Sequence, residues 1–168
     1  MIPKAPSSQR ASDRPITFML QGRDAAQLAD PVTLSVRPES LSRQDPSRMS
    51  VQQTLGGAWV DSFGPGLPTI TLGGHTGWRR NSGENQDANG ADGVDRFLRL
   101  RDTIFDRWHL ERSRAVSLGQ DPAAVQLVLV DALDRFTAVV VPQSFNLQRS
   151  RTRPLLMQYQ ISLLVLSD

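Results

Sequence analysis

From Met157 to Val165 every second side chain is apolar. Met157, Tyr159, Ile161, Leu163 and Val165 share one face, while Gln158, Gln160 and Ser162 share the other. A period of two is that of a pleated strand, whose successive side chains point to opposite faces. A helix would scatter the same set around its circumference. One wet face also implies antiparallel pairing, because a parallel sheet is covered on both sides.

The pattern recurs along the chain. Ile16, Phe18 and Leu20 mark a short strand. Val32, Leu34 and Val36 alternate with Thr33, Ser35 and Arg37, and Pro38 ends that run. Residues 38–48 read as a loop with Asp45-Pro46 as a turn. Met49 to Leu55 alternates again, with Met49, Val51 and Leu55 inward. Gly56-Gly57 breaks it, and Ala58 to Phe63 is placed to pair back as a hairpin, closed by Gly64-Pro65-Gly66. Pro68 to Leu72 is a further strand, followed by Gly73-Gly74. The two most apolar runs, Val125 to Val130 and Phe136 to Val141, flank a turn at Asp131–Asp134, and Pro142 interrupts the second.

Between about 93 and 117 the period changes. Val94, Phe97, Leu98, Ile104, Phe105 and Trp108 fall on one helical stripe, interrupted by Arg101, and Gly119 suits the C-terminal cap. The expected fold is mainly β: an antiparallel β-sandwich or small β-barrel with one flanking α-helix, a single domain over 15–168. Residues 1–14 carry Pro, Ser, Arg and Lys with almost nothing to bury, and read as a flexible N-terminal arm. The polar, Gly/Asn/Asp-rich stretch 80–93 reads as a surface loop.

Composition removes several function classes. There is no cysteine among the 168 residues, so disulfides, zinc ribbons and thiol nucleophiles are excluded. No apolar run reaches the ~20 residues that span a bilayer, so no membrane partner is expected. The polar N-terminus does not read as a signal peptide, and synthesis in the cytoplasm is expected. Of the 19 cationic residues, 18 are arginine. Arginine suits protein interfaces and phosphates, but here it is spread along the chain and mixed with acids, unlike a nucleic-acid stripe.

No reaction site emerges. His75 has no ligand-type neighbours, and His109 has Asp106 and Glu111 at spacings that do not suit a metal. Asp87 to Gly93 fails the calcium-loop pattern, because its fifth position is Ala91 and its twelfth Leu98. There is no nucleophile elbow and no phosphate loop. Asp131 and Asp134 sit in a turn, where aspartate is normal. Catalytic, cofactor-binding and metal-binding residues are therefore all expected to be absent. Trp59, Phe63, Phe97, Phe105, Trp108 and Tyr159 are expected in the core. Trp78 beside Arg79 and Arg80 is expected at an interface, with Asp87, Asp92, Arg149, Arg151 and Arg153.

The combination LGGAWVDSFGPGLPTITLGGHTGW, then FLRLRDTIFDRWH, then LVLVDALDRFTAVVVPQSFNLQRSRTRPLLMQYQISLLVL resembles baseplate and tail-hub proteins of tailed bacteriophages. The resemblance covers about residues 30–166. It implies a fold related to the tail-tube subunit and the distal tail protein. It also implies a structural, non-enzymatic role in the virion tail. Copies would form a ring, usually of six, bound to the tail tube and other baseplate proteins, with DNA only as cargo in the channel. The chain ends at Asp168, directly after the last strand, so an appended receptor-binding or lytic domain is not expected. The alternative is a monomeric module that binds a glycan or cell-wall ligand through Trp78 and His75.

Overall fold

The computed structural model describes residues 15–34, 37–76, 93–149, 152 and 157–167. The arm expected over 1–14 and nearly all of the loop expected over 80–93 lie outside these residues.

The terminal run is a strand, β9 (Met157–Ser167), and its burial alternates as its sequence does. Six more strands join it: β1 (Ile16–Gln21), β2 (Val32–Thr33), β3 (Ser40–Gln44), β6 (Thr69–His75), β7 (Gln126–Asp131) and β8 (Phe136–Arg149). They lie in the order β2-β1-β7-β8-β9-β6-β3, and each neighbouring pair is antiparallel. The remaining strands, β4 (Ser47–Thr54) and β5 (Gly57–Pro65), form a separate two-stranded sheet. The fold is thus mainly β and antiparallel with one long helix, as expected. The large sheet is open, ending at β2 and β3, so the barrel alternative is not formed.

Register brings the apolar positions together. Leu20, Leu127, Val140 and Val165 stand side by side across four strands. Leu72, Ile161 and Phe145 make a second row. Burying an aliphatic side chain of this size contributes roughly 1.5–3 kcal/mol. The helix closes the face: α1 (Gly93–Arg101) passes through a π turn (Asp102–Asp106) into α2 (Arg107–Ser117). Phe97, Leu100, Ile104, Trp108 and Ala115 are buried in the core cluster, and Phe97 meets Phe145 edge-on at 5.2 Å. The predicted stripe is corrected in two places: Leu98 is exposed and Phe105 only half-buried, while Leu100 takes an inward position. The 3-4-4 spacing of 97, 100, 104 and 108 sets the dry line, and 98 and 105 each stand one step off it. After the helix, Gly119 adopts φ +68°. Its N–H donates to Val116 O at 3.0 Å and that of Gln120 to Ala115 O at 2.8 Å, a Schellman cap.

Three boundaries differ from the sequence reading. The expected loop 38–48 contains β3, whose five residues pair with β6. As an exposed edge strand it has no dry face, and so no apolar alternation to betray it. β8 is not interrupted at Pro142. The ladder to β9 shifts between Pro142 and Ser144, making Gln143 the extra residue of a bulge. A bulge tolerates the missing proline N–H, and it moves the inward position from the even-numbered Val140 and Pro142 to the odd-numbered Phe145, which packs against the core. β6 runs through Gly73-Gly74 to His75. A Cβ on Gly74 would stand 3.1 Å from Pro38 Cα, so the missing side chain admits the backbone that leads into β3.

Candidate assembly interface

The β4–β5 hairpin begins where β3 and β6 stop pairing. Between Gln44↔Thr69 and Ser47↔Pro65 lies a joint, held by Gly66 N–H donating to Pro46 O at 2.7 Å. A Cβ on Gly66 would stand 2.9 Å from Pro46 Cγ and 3.2 Å from Pro46 O, so only glycine fits without a shift. Arg43 Nε donates to Asp45 Oδ1 at 2.9 Å beside the joint. Beyond it the eight residues of β4 reach about 26 Å at a rise of ~3.3 Å each. At the far end Thr54 Oγ1 donates to Gly57 O at 3.0 Å, and Gly57 takes φ +141°.

Every residue of β4 is exposed, and so is all of β5 except the half-buried Gly64. Register sorts the side chains. Val51 opposes Val60 and Met49 opposes Ser62 on one face. Gln52 opposes Trp59 on the other, which Trp59 shares with Asp61. Trp59 Nε1 donates to Asp61 Oδ1 at 3.1 Å, and this is an exposed contact. Trp59 is 68% exposed and Phe63 64%. Both were expected in the core, and Met49, Val51 and Leu55 were expected inward; all five are exposed instead. The alternation predicts the strand correctly, but among the described residues both faces of the ribbon are exposed. Among residues 47–65 only Arg48 and Asp61 carry charge. A two-stranded ribbon is marginal alone, and a long edge without charge is a template for pairing. Those are the properties of a surface that is finished by another chain. The signal was present in the sequence: apolar residues on both faces of one ribbon, with few charges.

Of the interface residues named from sequence, Arg149 alone lies among the described residues. Arg149 is exposed at the end of β8, opposite Met157. Trp78, Arg79, Arg80, Asp87, Asp92, Arg151 and Arg153 lie outside the described residues. His75 ends β6 with Nε2 3.4 Å from Glu39 Oε1. His109 is an exposed helix residue touched edge-on by Phe105 at 4.8 Å and Trp108 at 4.7 Å. Phe97, Trp108 and Tyr159 are buried, as expected. No helix among the described residues is long and apolar enough to cross a membrane.

Residues 30–168 match the model of a protein family described as "Putative phage tail tube initiator protein". The chain belongs to this family. It is a structural component of the phage tail, and so of the virion, in agreement with the resemblance read from its motifs. No curated protein matches the chain. Several solved structures resemble this tail tube initiator family member. One is the tail of an empty gene transfer agent particle, with 13% identity over 90% of this chain and 92% of that one and a TM-score of 0.41. Another is the tube-terminating cap of the anti-feeding prophage, with 11% identity, 98% and 89% coverage and a TM-score of 0.35. A third is the sheath–tube complex of an extracellular contractile injection system, with 13% identity, 96% and 95% coverage and a TM-score of 0.34. The family match alone carries the assignment.

Proposed function

We propose that copies of this chain close into a ring at the start of the tail tube, join the tube to other baseplate proteins, and leave a channel through which DNA passes as cargo. Six copies are expected, from the resemblance of the motifs. The protein works by assembly, with no catalysis. One observation carries this reading: the β4–β5 ribbon presents Val51 and Val60 on one face and Trp59 on the other, all exposed, and among the described residues neither long edge is paired. Such a ribbon is completed by burying it between neighbours, and aromatic residues are the usual anchors. Arg149, with Trp78, Arg79, Arg80, Asp87, Asp92, Arg151 and Arg153, is proposed at the same contacts.

Light scattering on the purified chain tests the ring. The expected result is a mass several times 18.6 kDa, rising with concentration, that returns to 18.6 kDa in Val51→Ser/Trp59→Ser. A monomer at every concentration, together with absence of the protein from purified particles, would favour the monomeric glycan-binding module instead. Saccharide binding by itself does not separate the two, since a ring subunit can also carry a sugar site.

A further inference from the structure

One face of the β4–β5 ribbon specifies the chemistry of the surface that can receive it. Trp59 and Asp61 share that face, opposite Gln52 and Ser50. Asp61 is the single acidic residue between 47 and 65. Its Oδ1 accepts from Trp59 Nε1, which leaves Oδ2 without a partner among the described residues. The face is an indole with a carboxylate beside it. A surface that takes it must be apolar, with a cation next to the apolar part.

A groove of about 710 Å³ lies between the C-terminal end of α2 and the turn that follows β1. Leu28, Ala115, Leu118 and Val125 supply its apolar lining. Leu118 is 61% exposed, a large apolar side chain left open at the end of a helix. Arg23 and Arg114 line the same groove, and among the described residues neither guanidinium has a partner. Two acids line it as well: Glu111, paired with Arg107 at 3.7 Å, and Asp121, which accepts from Ala123 N–H at 2.8 Å. With Glu111 matched by Arg107, Arg23 and Arg114 outweigh Asp121, and the groove is net positive. Arg23 is presented by a turn of fixed shape. Gly22 N–H donates to Ala26 O at 2.7 Å, and Asp24 and Ala25 hold φ +59° and +58°. Non-glycine residues held in this region cluster at ligand clamps and switch segments.

We infer, on the basis of the ring proposed above, that this groove receives the Trp59–Asp61 face of the ribbon from a second copy of the chain. The indole lies on Leu118 and the carboxylate meets Arg23 and Arg114. Placement supports this. Leu127, Val140 and Val165 stand in one row, and Val165 N–H donates to Pro68 O at 2.8 Å, next to where β6 begins. The groove at Gly22 and Val125 and the joint at Pro46 and Gly66 therefore lie at the same end of the large sheet. They lie on opposite halves of it: β1 stands five steps from β3 in the strand order, about 24 Å at the usual strand spacing. Trp59 is 68% exposed, so a chain does not fill its own groove. Two different patches on opposite flanks make a heterologous contact, the kind that closes into a ring when the rotation fits.

Sedimentation velocity on the full chain tests the contact by charge reversal. Asp61→Arg alone, and Arg23→Glu/Arg114→Glu alone, should each weaken self-association about tenfold or more, as loss of a charge-assisted hydrogen bond does. An equimolar mixture of the two variants should recover the wild-type mass. In the mixture the reversed ribbon meets the reversed groove, and the native ribbon meets the native groove. Leu118→Ser should weaken association as well, whereas Leu110→Ser, similarly exposed on the same helix but outside the groove, should not. All the substituted side chains are exposed, so the circular dichroism spectrum should not change. Association untouched by either reversal, weakening without recovery in the mixture, or equal loss in Leu110→Ser would overturn the contact while the ring stands. A wild-type chain that stays monomeric at every concentration would overturn both.

Discussion

The guanidinium of Arg37 forks onto the carboxylate of Asp131, with Nη2 to Oδ2 at 2.9 Å and Nη1 to Oδ1 at 3.2 Å, although 94 positions separate them. Leu133 N–H adds a third bond to Oδ1 at 2.9 Å. The Asp131 side chain is 2% exposed and that of Arg37 22%. The fork ties the chain entering β3 to the β7–β8 turn. Replacing Arg37 by Ala leaves a buried carboxylate short of its partner, which typically costs about 3–5 kcal/mol; with Arg37 partly wet the expected loss is about 2–3 kcal/mol. Urea unfolding measures it. An unchanged midpoint would mean that the pair contributes nothing.

The ribbon makes the opposite prediction. Were Trp59 and Phe63 core residues, truncation to alanine would cost about 3–5 kcal/mol each. Exposed as they are, Trp59→Ala and Phe63→Ala should move the stability of the unassembled chain by no more than about 0.5 kcal/mol. The same substitutions should sharply reduce self-association in sedimentation. Stability loss without an assembly defect would return both residues to the core.

Periodicity made most of the sheet legible, and its limits are physical. Alternation says which side chains share a face, but not whether anything covers that face. Ile161 and Val51 carry the same signal; one lies under the helix and the other in solvent. β3 stayed hidden because an edge strand with two wet faces needs no apolar residue. Pro142 looked like a stop because the bulge at Gln143 that excuses it is a property of two strands, and only one was being read. The burial of Thr76 and Thr103 was out of reach for the same reason: tertiary packing covers them, and no pattern along the chain marks either.

Gly74 tests the close approach between β6 and the chain entering β3. An added Cβ would meet Pro38 Cα at 3.1 Å, Tyr159 Oη at 3.1 Å and Glu39 N at 3.2 Å, two of them backbone atoms that yield with difficulty. Gly74→Ala should therefore cost about 1–3 kcal/mol, the usual range for overpacking. Gly119→Ala should cost about 1–2 kcal/mol for a different reason: its left-handed φ of +68° strains any residue with a Cβ, although the added atom meets nothing. Chemical denaturation of the two variants reads both losses. A neutral Gly74→Ala would show that the start of β3 can move away.

Tyr159 is the single tyrosine of the chain, so its titration can be followed without assignment. Burial first, and the charge of Glu39 second, raise its pKa from the ordinary 10.0. The sign follows from proton counting: above pH 10 the unfolded chain has lost the phenolic proton while the folded chain keeps it. The favourable contribution is complete below pH 10 and declines as pH rises beyond that. Native protein should therefore show no phenolate absorbance at pH values where the urea-unfolded chain is fully ionised. When the signal does appear in the native sample, it should rise together with the loss of β-sheet circular dichroism. A reversible phenolate titration centred near 10 with the fold intact would show that the hydroxyl is open to solvent, and the account of its burial would fail.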